Sequence, residues 1–342
     1  MSETKGYLSK RGLMVIGITW LIILIVGLIL YFTDQNEAFY DGRSSVQSVF
    51  KAISYLGENI VFIIIIAVLY LGYNKRFAKN LTLSLLFSHY LVELTKEIFQ
   101  DPRPATNIDP TEDYGVIESS FGFPSGHSQN AVAFWGYLGN EFKDKSKYKN
   151  IPIIPVILSV LIFLVAISRI IIGVHDLQDI IGGLLIGIGF LLAFIYLEPI
   201  LSKQFNKLGF ITKIIIAVVV SIALFLIGTL LFPNAGAGIY ISPTPPSYPD
   251  EGAFGTVGGV LLGFGVGYIL EHEYIKYDPT QLTIKRRIIN VIIGLVIALI
   301  IFIPLEYVLE INSVFYRFTR YAILAFILTY VIPLICTKIN KK

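Results

Sequence analysis

Three short stretches of this 342-residue chain place ionisable side chains beside long apolar runs. Their sequences are "KEIFQDPRP" at 96–104, "FPSGHS" at 123–128 and "SRIIIGVHDLQD" at 168–179. Apolar runs of about 20 residues are long enough to cross a bilayer. Ionisable side chains so close to such runs are expensive to keep and usually mark a functional site. The three stretches are therefore the candidates for chemistry.

One set of these residues matches the chemistry of a phosphate group. Lys96, Arg103 and Arg169 supply an ammonium group and two guanidinium forks, which fit phosphate oxygens in charge and shape. Ser125 and Gly126 follow a proline and are expected to begin a helix, where free N–H groups favour an anion. Gly126 would also allow the backbone to approach a ligand closely. We therefore expect these five residues to bind phosphate.

A second set matches the chemistry of phosphoryl transfer. His175 and Asp179 are four residues apart, so on a helix they share one face. A carboxylate that holds one ring N–H leaves the other imidazole nitrogen available as a nucleophile. His127 is then a candidate general acid for the leaving oxygen. The two sets together predict a phosphoryl-transfer site with no metal and no other cofactor.

Simpler explanations exist for each residue taken alone. A lysine or arginine at the end of a span often extends to the lipid headgroups, and a His/Asp pair can merely stabilise a helix. A metal site is the third alternative, with His127, His175 and Asp179 as ligands. A metal would not need three cations beside it, so we expect no metal here.

The three stretches resemble the tripartite signature of the type 2 phosphatidic acid phosphatase superfamily. The matching patterns are K-x-x-x-x-x-x-R-P, P-S-G-H and S-R-x-x-x-x-x-H-x-x-x-D. The resemblance implies a six-helix core that dephosphorylates lipid phosphates or diphosphates without metal. It also implies that His175 forms a phosphohistidine, that Asp179 orients it and that His127 protonates the leaving group. The residues that would hold the phosphoryl oxygens are Lys96, Arg103, Ser125, Gly126 and Arg169.

The elements that must position these residues are membrane-spanning helices. The chain is 55% hydrophobic and 15% charged, whereas a soluble domain carries about 25% charged residues. We expect an all-α polytopic membrane protein, with a six-span catalytic core at 12–200 and a four-span C-terminal region at 210–337. The ten expected spans are 12–33, 58–74, 78–98, 125–142, 151–173, 176–200, 210–232, 253–271, 287–309 and 320–337.

Three parts of the chain carry narrower expectations. The span at 125–142 is the most polar and should face the interior of the helix bundle. The connection at 34–57 is expected to contain a short interfacial helix, and the connection at 233–252 is read as an ordered cap or a lid. Four glycines at intervals of four residues form one smooth helix face: Gly255, Gly259, Gly263 and Gly267. We expect this face to pack against another helix of the same chain, and association of two copies is the second alternative.

The distribution of basic residues predicts the orientation in a cell membrane. If both termini are cytoplasmic, 20 of the 27 lysines and arginines lie on the cytoplasmic side, as the positive-inside rule requires. Lys96, Arg103 and Arg169 are then exceptions on the opposite face, where we expect the active site. The expected substrate is a lipid phosphate or diphosphate, such as a polyprenyl diphosphate or phosphatidic acid. Two alternatives stay open: a phosphotransferase with a lipid or sugar acceptor, and a transporter. We expect no nucleic-acid partner.

Overall fold

The fold is almost entirely helical. The computed structural model describes residues 8–104, 106, 120–145, 147–148, 151–232, 252–308 and 314–340. The helices are α1 (Lys10–Phe32), α2 (Ser44–Ser54), α3 (Asn59–Gly72), α4 (Lys75–Phe99), α5 (Gly126–Ala131), α6 (Tyr137–Phe142), α7 (Ile153–Ile171), α8 (Leu177–Asn206), α9 (Phe210–Leu231), α10 (Ala253–Leu270), α11 (Ile284–Val308), α12 (Val314–Phe326) and α13 (Ile332–Asn340). Single π-helical turns join α5 to α6, follow α10 and join α12 to α13. One two-residue antiparallel pairing joins β1 (Lys147–Tyr148) to β2 (Ile151–Pro152).

These helices form a polytopic membrane protein, as the sequence predicts. Within the described ranges, six helical segments are long and apolar enough to cross a membrane: α1, α7, α8, α9, α10 with its π turn, and α12–α13. The number becomes seven if α2 and α3 count as one bent span. The expected span 78–98 lies in α4, and the expected span 287–309 lies in α11 as far as residue 308. The ten-span count and the division at about residue 210 stay predictions.

The chain forms two compact units. One contains the described parts of 1–62 and 87–201, and the other contains those of 63–86, 202–236 and 250–342. All of the motif residues lie in the first unit. Its apolar core is formed by side chains from α1, the π turn after α5, α7 and α8: Ile23, Val132, Ala166, Ile170, Ile180, Leu184, Leu191 and Ile195.

The polar helix at 125–142 is buried in the first unit, where it faces other helices. Ser128, Gln129 and Asn130 are all buried. The Ser88 hydroxyl of α4 donates a hydrogen bond to Asn130 Oδ1 at 2.9 Å, and Gln129 Nε2 donates to the Ser88 carbonyl at 3.1 Å. Buried polar groups need such partners, so this helix is fixed against α4.

Two glycines of α8 allow the same polar helix to pack closely. A Cβ atom on Gly183 would lie 2.7 Å from the Ser125 carbonyl oxygen, and one on Gly187 would lie 3.0 Å from Val132 Cβ. Larger residues at these two positions would push the start of α5 away from α8. The sequence G-x-x-x-G therefore sets the distance between the second and third motifs.

The glycine face of α10 packs within the second unit. A Cβ atom on Gly255 would lie 2.8 Å from the Val314 carbonyl, and the next two glycines face carbonyls of α12 in the same way. Gly267 faces the Thr329 hydroxyl. This packing within the chain is the first of the two readings. Association of two copies through this face stays a prediction, and it would require α12 to move away.

The structure describes the connection at 34–57 but almost none of the connection at 233–252. The connection at 34–57 contains α2, a short helix in the expected place. The expected cap or lid at 233–252 falls almost wholly outside the described residues.

Candidate active site

The turn between α7 and α8 places the third motif. Gly173 has φ +88°, its N–H donates to the Ile170 carbonyl, and the Val174 N–H donates to the Arg169 carbonyl. This pair of bonds is a helix-ending motif that favours glycine at the left-handed position. It ends α7 at Ile171, two residues after Arg169, and directs the chain toward His175, two residues before α8 begins.

His175 and Asp179 form a buried hydrogen-bonded pair. His175 Nδ1 lies 2.8 Å from Asp179 Oδ2, and the two residues are 1% and 0% exposed. A carboxylate only accepts hydrogen bonds, so Nδ1 carries the proton. Arg103 Nη1 lies 3.0 Å from Nε2 of the same ring, and arginine only donates. Both contacts therefore require Nε2 to hold a lone pair, which is the form of a nucleophile.

The surroundings of His175 keep the imidazole neutral. Its pKa is lowered well below the ordinary value of 6.5, first by burial and then by the positive charges of Arg103, Lys96, Arg169 and His127. Burial disfavours the charged imidazolium, and neighbouring cations disfavour it further. The ring is thus neutral at physiological pH.

Ser120 joins two of the predicted phosphate-binding cations. Its carbonyl accepts a hydrogen bond from Arg103 Nε at 2.7 Å. Its hydroxyl accepts from Arg103 Nη2 at 3.1 Å and from Lys96 Nζ at 3.2 Å. Lys96 also donates to the Phe121 carbonyl. Ser120 lies outside the three motifs, and an isolated serine gives no sequence signal for this role.

Arg169 is buried and is held by the end of α2. It is 2% exposed, and its Nη1 donates to the hydroxyl of Ser54, the last residue of α2, at 2.7 Å. Ser54 is another residue that the sequence analysis did not identify. Its contact with Arg169 connects the third motif to a segment more than a hundred residues earlier in the chain.

Ser125 and Gly126 connect the second motif to its neighbours. Ser125 is the N-cap of α5: its hydroxyl accepts a hydrogen bond from the Ser128 hydroxyl at 3.0 Å and from the Ser128 N–H at 3.4 Å. Its own N–H donates to the Asp179 carbonyl at 3.0 Å. A Cβ atom on Gly126 would lie 3.2 Å from Val92 Cγ1. These contacts hold the second motif close to α4 and α8.

His127 pairs with a carboxylate that the motifs do not include. Its Nε2 lies 3.0 Å from Glu58 Oε1, and the two side chains are 16% and 39% exposed. Glu58 lies between α2 and α3, far from His127 in sequence, and no spacing rule connects the two. The structure thus gives each of the two motif histidines its own acid.

Three acids meet beside the His175–Asp179 pair. Among the described residues, one carboxylate oxygen each from Asp101, Asp176 and Asp179 lies within 4.8 Å of the other two. Three oxygens at this spacing could hold a metal cation. Burial raises the pKa of Asp101 and of Asp176, and Asp101 hydrogen-bonds to Asp179. This cluster differs from the metal-ligand set considered from the sequence, which included both histidines.

Five of the eight residues predicted from the sequence are linked by the hydrogen bonds above, either directly or through Ser120: His175, Asp179, Arg103, Lys96 and Ser125. Arg103 touches His175, Asp179 accepts from Ser125, and Lys96 shares Ser120 with Arg103. The charges of Arg169 and His127 act on His175. Gly126, the eighth, contributes the close contact with α4. The arrangement offers a buried neutral imidazole, a set of cations and a second histidine, and the chemistry of these groups suits transfer of a phosphoryl group.

Two protein-family models match parts of this chain. Residues 77–203 match the family model described as PAP2 superfamily, and residues 255–342 match the model described as PAP2 superfamily phosphatase, transmembrane extension. The first match contains all three motifs. The second covers most of the C-terminal four-span region.

Three relatives of known name are similar to part of the chain. Lipid phosphate phosphatase delta of Arabidopsis thaliana is 29% identical over 159 residues, covering 44% of this chain and 36% of that protein. Phosphatidylglycerophosphatase B of Bacillus subtilis (strain 168) is 31% identical over 151 residues, covering 42% and 70%. Sphingosine-1-phosphate phosphatase 2 of Mus musculus is 25% identical over 224 residues, covering 65% and 59%. The chain therefore spans about a third to seven tenths of the length of these relatives.

One solved structure is also similar. It is the transmembrane PAP2 type phosphatidylglycerolphosphate phosphatase from Bacillus subtilis, with 22% identity and a TM-score of 0.41, covering 56% of this chain and 98% of that one.

Proposed function

This chain belongs to the PAP2 superfamily, and from that membership we propose that it removes the phosphate of a membrane lipid without a metal ion. One observation carries the proposal: a buried His175 whose Nδ1 is bonded to Asp179 and whose Nε2 faces Arg103. The names of its relatives point to glycerolipid and sphingoid phosphates as substrate classes. Polyprenyl diphosphates fit the same cluster of cations.

Binding of the phosphate rearranges the cations. Lys96 and Arg103 exchange Ser120 for phosphoryl oxygens, and in doing so Arg103 leaves His175 Nε2. Arg169 and the start of α5, with Ser125 and Gly126, surround the remaining oxygens. The negative phosphate offsets the positive charge of these groups in a site that excludes water, where electrostatic stabilisation is strongest.

The first chemical step makes a phosphohistidine. His175 Nε2 attacks phosphorus, so the P–N bond forms while the P–O bond to the lipid breaks. The leaving oxygen takes a proton from the imidazolium of His127 and departs as the lipid alcohol. Asp179 accepts the hydrogen bond of Nδ1–H and stabilises the positive charge that develops on the His175 ring.

The second step releases inorganic phosphate. Water attacks phosphorus, and the neutral His127 takes a proton from that water. The P–N bond breaks, and His175 returns to its neutral form. Both histidines and Asp179 are then ready for another substrate.

We place this reaction at the extracytoplasmic face of the cell membrane, with both termini in the cytoplasm. The distribution of lysine and arginine supports this orientation. A lipid whose tail lies in the bilayer would bring its headgroup to the level of His175, between the ends of α7 and α8.

The test is release of phosphate in detergent micelles with EDTA present throughout. The wild type should hydrolyse members of a panel of lipid phosphates and diphosphates, and His175→Ala should lose at least about 1000-fold in rate, as loss of a nucleophile does. His272→Ala is the matched control, because that ring stacks on Tyr268 in the second unit, with centroids 6.3 Å apart. Transfer of phosphate to an added acceptor without free phosphate would favour a phosphotransferase. No reaction of the wild type on any lipid would overturn the proposal.

A further inference from the structure

The segment Ser54–Glu58 contacts the motif residues at several points, although it precedes the matched family region at 77–203. Ser54 accepts a hydrogen bond from Arg169, as described above. The carbonyl of Leu56 accepts a hydrogen bond from the indole of Trp135, on the π turn that follows α5, at 3.1 Å. The segment is thus fixed to both the second and the third motif elements.

Gly57 allows this segment to lie directly against His127. A Cβ atom on Gly57 would be 2.7 Å from Val165 Cγ1 and 3.0 Å from His127 Cδ2. Any side chain here would have to displace one of these two groups. The backbone of the next residue is also fixed, because the Glu58 carbonyl accepts the N–H groups of Val61 and Phe62 at the start of α3.

Glu58 therefore has a defined position relative to the second motif. Its Oε1 lies 3.0 Å from His127 Nε2, a hydrogen-bond distance between a carboxylate and an imidazole. His175 has the same kind of partner in Asp179 at 2.8 Å. Each histidine needs a fixed ring and a fixed tautomer for its role, and a carboxylate supplies both.

We propose that Glu58 is the positioning residue of His127: it holds Nε2–H, orients the ring and stabilises the imidazolium that protonates the leaving oxygen. This inference rests on the proposed phosphatase function. With Nε2–H bonded to Glu58, the proton given to the leaving group comes from Nδ1, and the same nitrogen takes the proton of water in the second step.

The charges around His127 explain why such a residue is needed. Lys96 from α4, Arg103 from the following loop and Arg169 from α7 all act on His175, and His127 acts on it as well. Because His127 acts on the same ring, a positive charge on His127 would add to the three cations around His175. Asp179 contacts His175, and Glu58 contacts His127. The carboxylate of Glu58 thus offsets the repulsion at His127, the histidine that must be positive in the proposed reaction.

The experiment compares Glu58→Gln with Glu58→Asp and with the control Glu37→Gln, whose carboxylate is exposed and lies in the same unit. The rate constant kcat/KM is measured from pH 5 to 9 on two substrates. One is a lipid phosphate, whose alkoxide leaving group needs a proton. The other is p-nitrophenyl phosphate, whose phenolate leaves without one.

Glu58→Gln should move the alkaline limb of the lipid-phosphate profile to lower pH by about one unit or more, because an opposite charge shifts ionisation by that amount. At pH 8 the lipid phosphate should lose about tenfold or more in rate, and p-nitrophenyl phosphate should lose less than about threefold. Glu58→Asp should recover part of the loss. Glu37→Gln should match the wild type.

Equal losses on both substrates with an unchanged pH profile would reduce Glu58 to a structural role and overturn the inference. An unchanged rate in Glu58→Gln would overturn it too. Thermal unfolding of each variant identifies any loss caused by misfolding, and Glu58→Asp then serves as the folded reference. Failure of the phosphatase proposal would look different, because the wild type itself would release no phosphate.

Discussion

Arg103 contacts the imidazole of His175 as well as two backbone carbonyls of the site. It reaches the Ser120 carbonyl, the Val174 carbonyl at 2.8 Å and Nε2 of His175 in one arrangement. Only a planar guanidinium with several fixed donors makes these bonds together. Arg103 thereby covers the Nε2 lone pair of His175, and the proposed mechanism requires a phosphate to draw Arg103 away from it.

The variant Arg103→Lys tests this double role. A lysine keeps the charge but has one compact donor group, so it cannot span the three acceptors. We expect kcat/KM to fall about 100-fold or more in phosphate-release assays. Arg43→Lys is the control, because Arg43 is exposed and pairs only locally with Asp41. Wild-type activity in Arg103→Lys would show that charge alone is sufficient.

The pH profile reports the state of His175. In the proposed mechanism, protonation of this ring would remove the nucleophile, and the pKa of the ring lies well below 6.5 because of burial and the surrounding cations. The acid limb of kcat/KM should therefore lie below pH 6.5, with an alkaline limb where the general acid loses its proton. Rates measured from pH 4 to 9 check this. An acid limb above pH 6.5, or a flat profile, would contradict the paired-histidine mechanism.

At the residue scale, the sequence predicts only contacts between residues that are close together in the chain. His175 and Asp179 are one helical turn apart, so their contact follows from local geometry. Glu58 and Ser120 meet their partners through tertiary packing, at sequence separations of 69 residues to His127 and 24 residues to Lys96. An isolated glutamate or serine carries no period and no motif, so neither could be identified in advance.

At the scale of elements, the distance between α5 and α8 decides whether the motifs meet. The Ser125 N–H bonds the Asp179 carbonyl only because Gly183 leaves room for the start of α5. An apolar run predicts α8, and the proline before Ser125 predicts where α5 begins. The π turn Val132–Gly136 and the short β1–β2 pairing depend on packing, and the runs do not predict them.

A pair of alanine variants on α8 tests this spacing. In Gly183→Ala the new methyl group meets the Ser125 carbonyl at 2.7 Å, whereas in Gly189→Ala it meets nothing within 4 Å. We expect Gly183→Ala to lower activity more than about tenfold and the free energy of unfolding by about 1–3 kcal/mol, as overpacking does. Gly189→Ala should leave both unchanged. Activity assays and thermal unfolding in micelles provide the two readouts, and equal behaviour of the two variants would refute the spacing argument.

At the scale of the whole molecule, the open question is which helices cross the membrane. In the described structure α7 and α8 are each long and apolar enough to cross a membrane, whereas α3 reaches that length only together with α2. The sequence predicts five spans between residues 45 and 207, from α3 to α8. The helices α4, 125–142, α7 and α8 together contribute an even number of crossings. Whether residues 45 and 207 lie on the same side of the membrane therefore depends on whether α3 crosses it.

Thiol labelling of intact cells resolves the topology. Cys336 is the chain's single cysteine and is buried, so Cys336→Ala gives a background for Ser45→Cys and Lys207→Cys, at two exposed positions. An odd number of spans places these positions on opposite sides. We expect a membrane-impermeant maleimide to label the Ser45→Cys variant in intact cells and the Lys207→Cys variant only after the membrane is opened, since the lysine-rich side is cytoplasmic. Labelling of both positions in intact cells would remove α3 from the spans. The reverse pattern would move the active site to the cytoplasmic face, where it would meet a different pool of lipid phosphates.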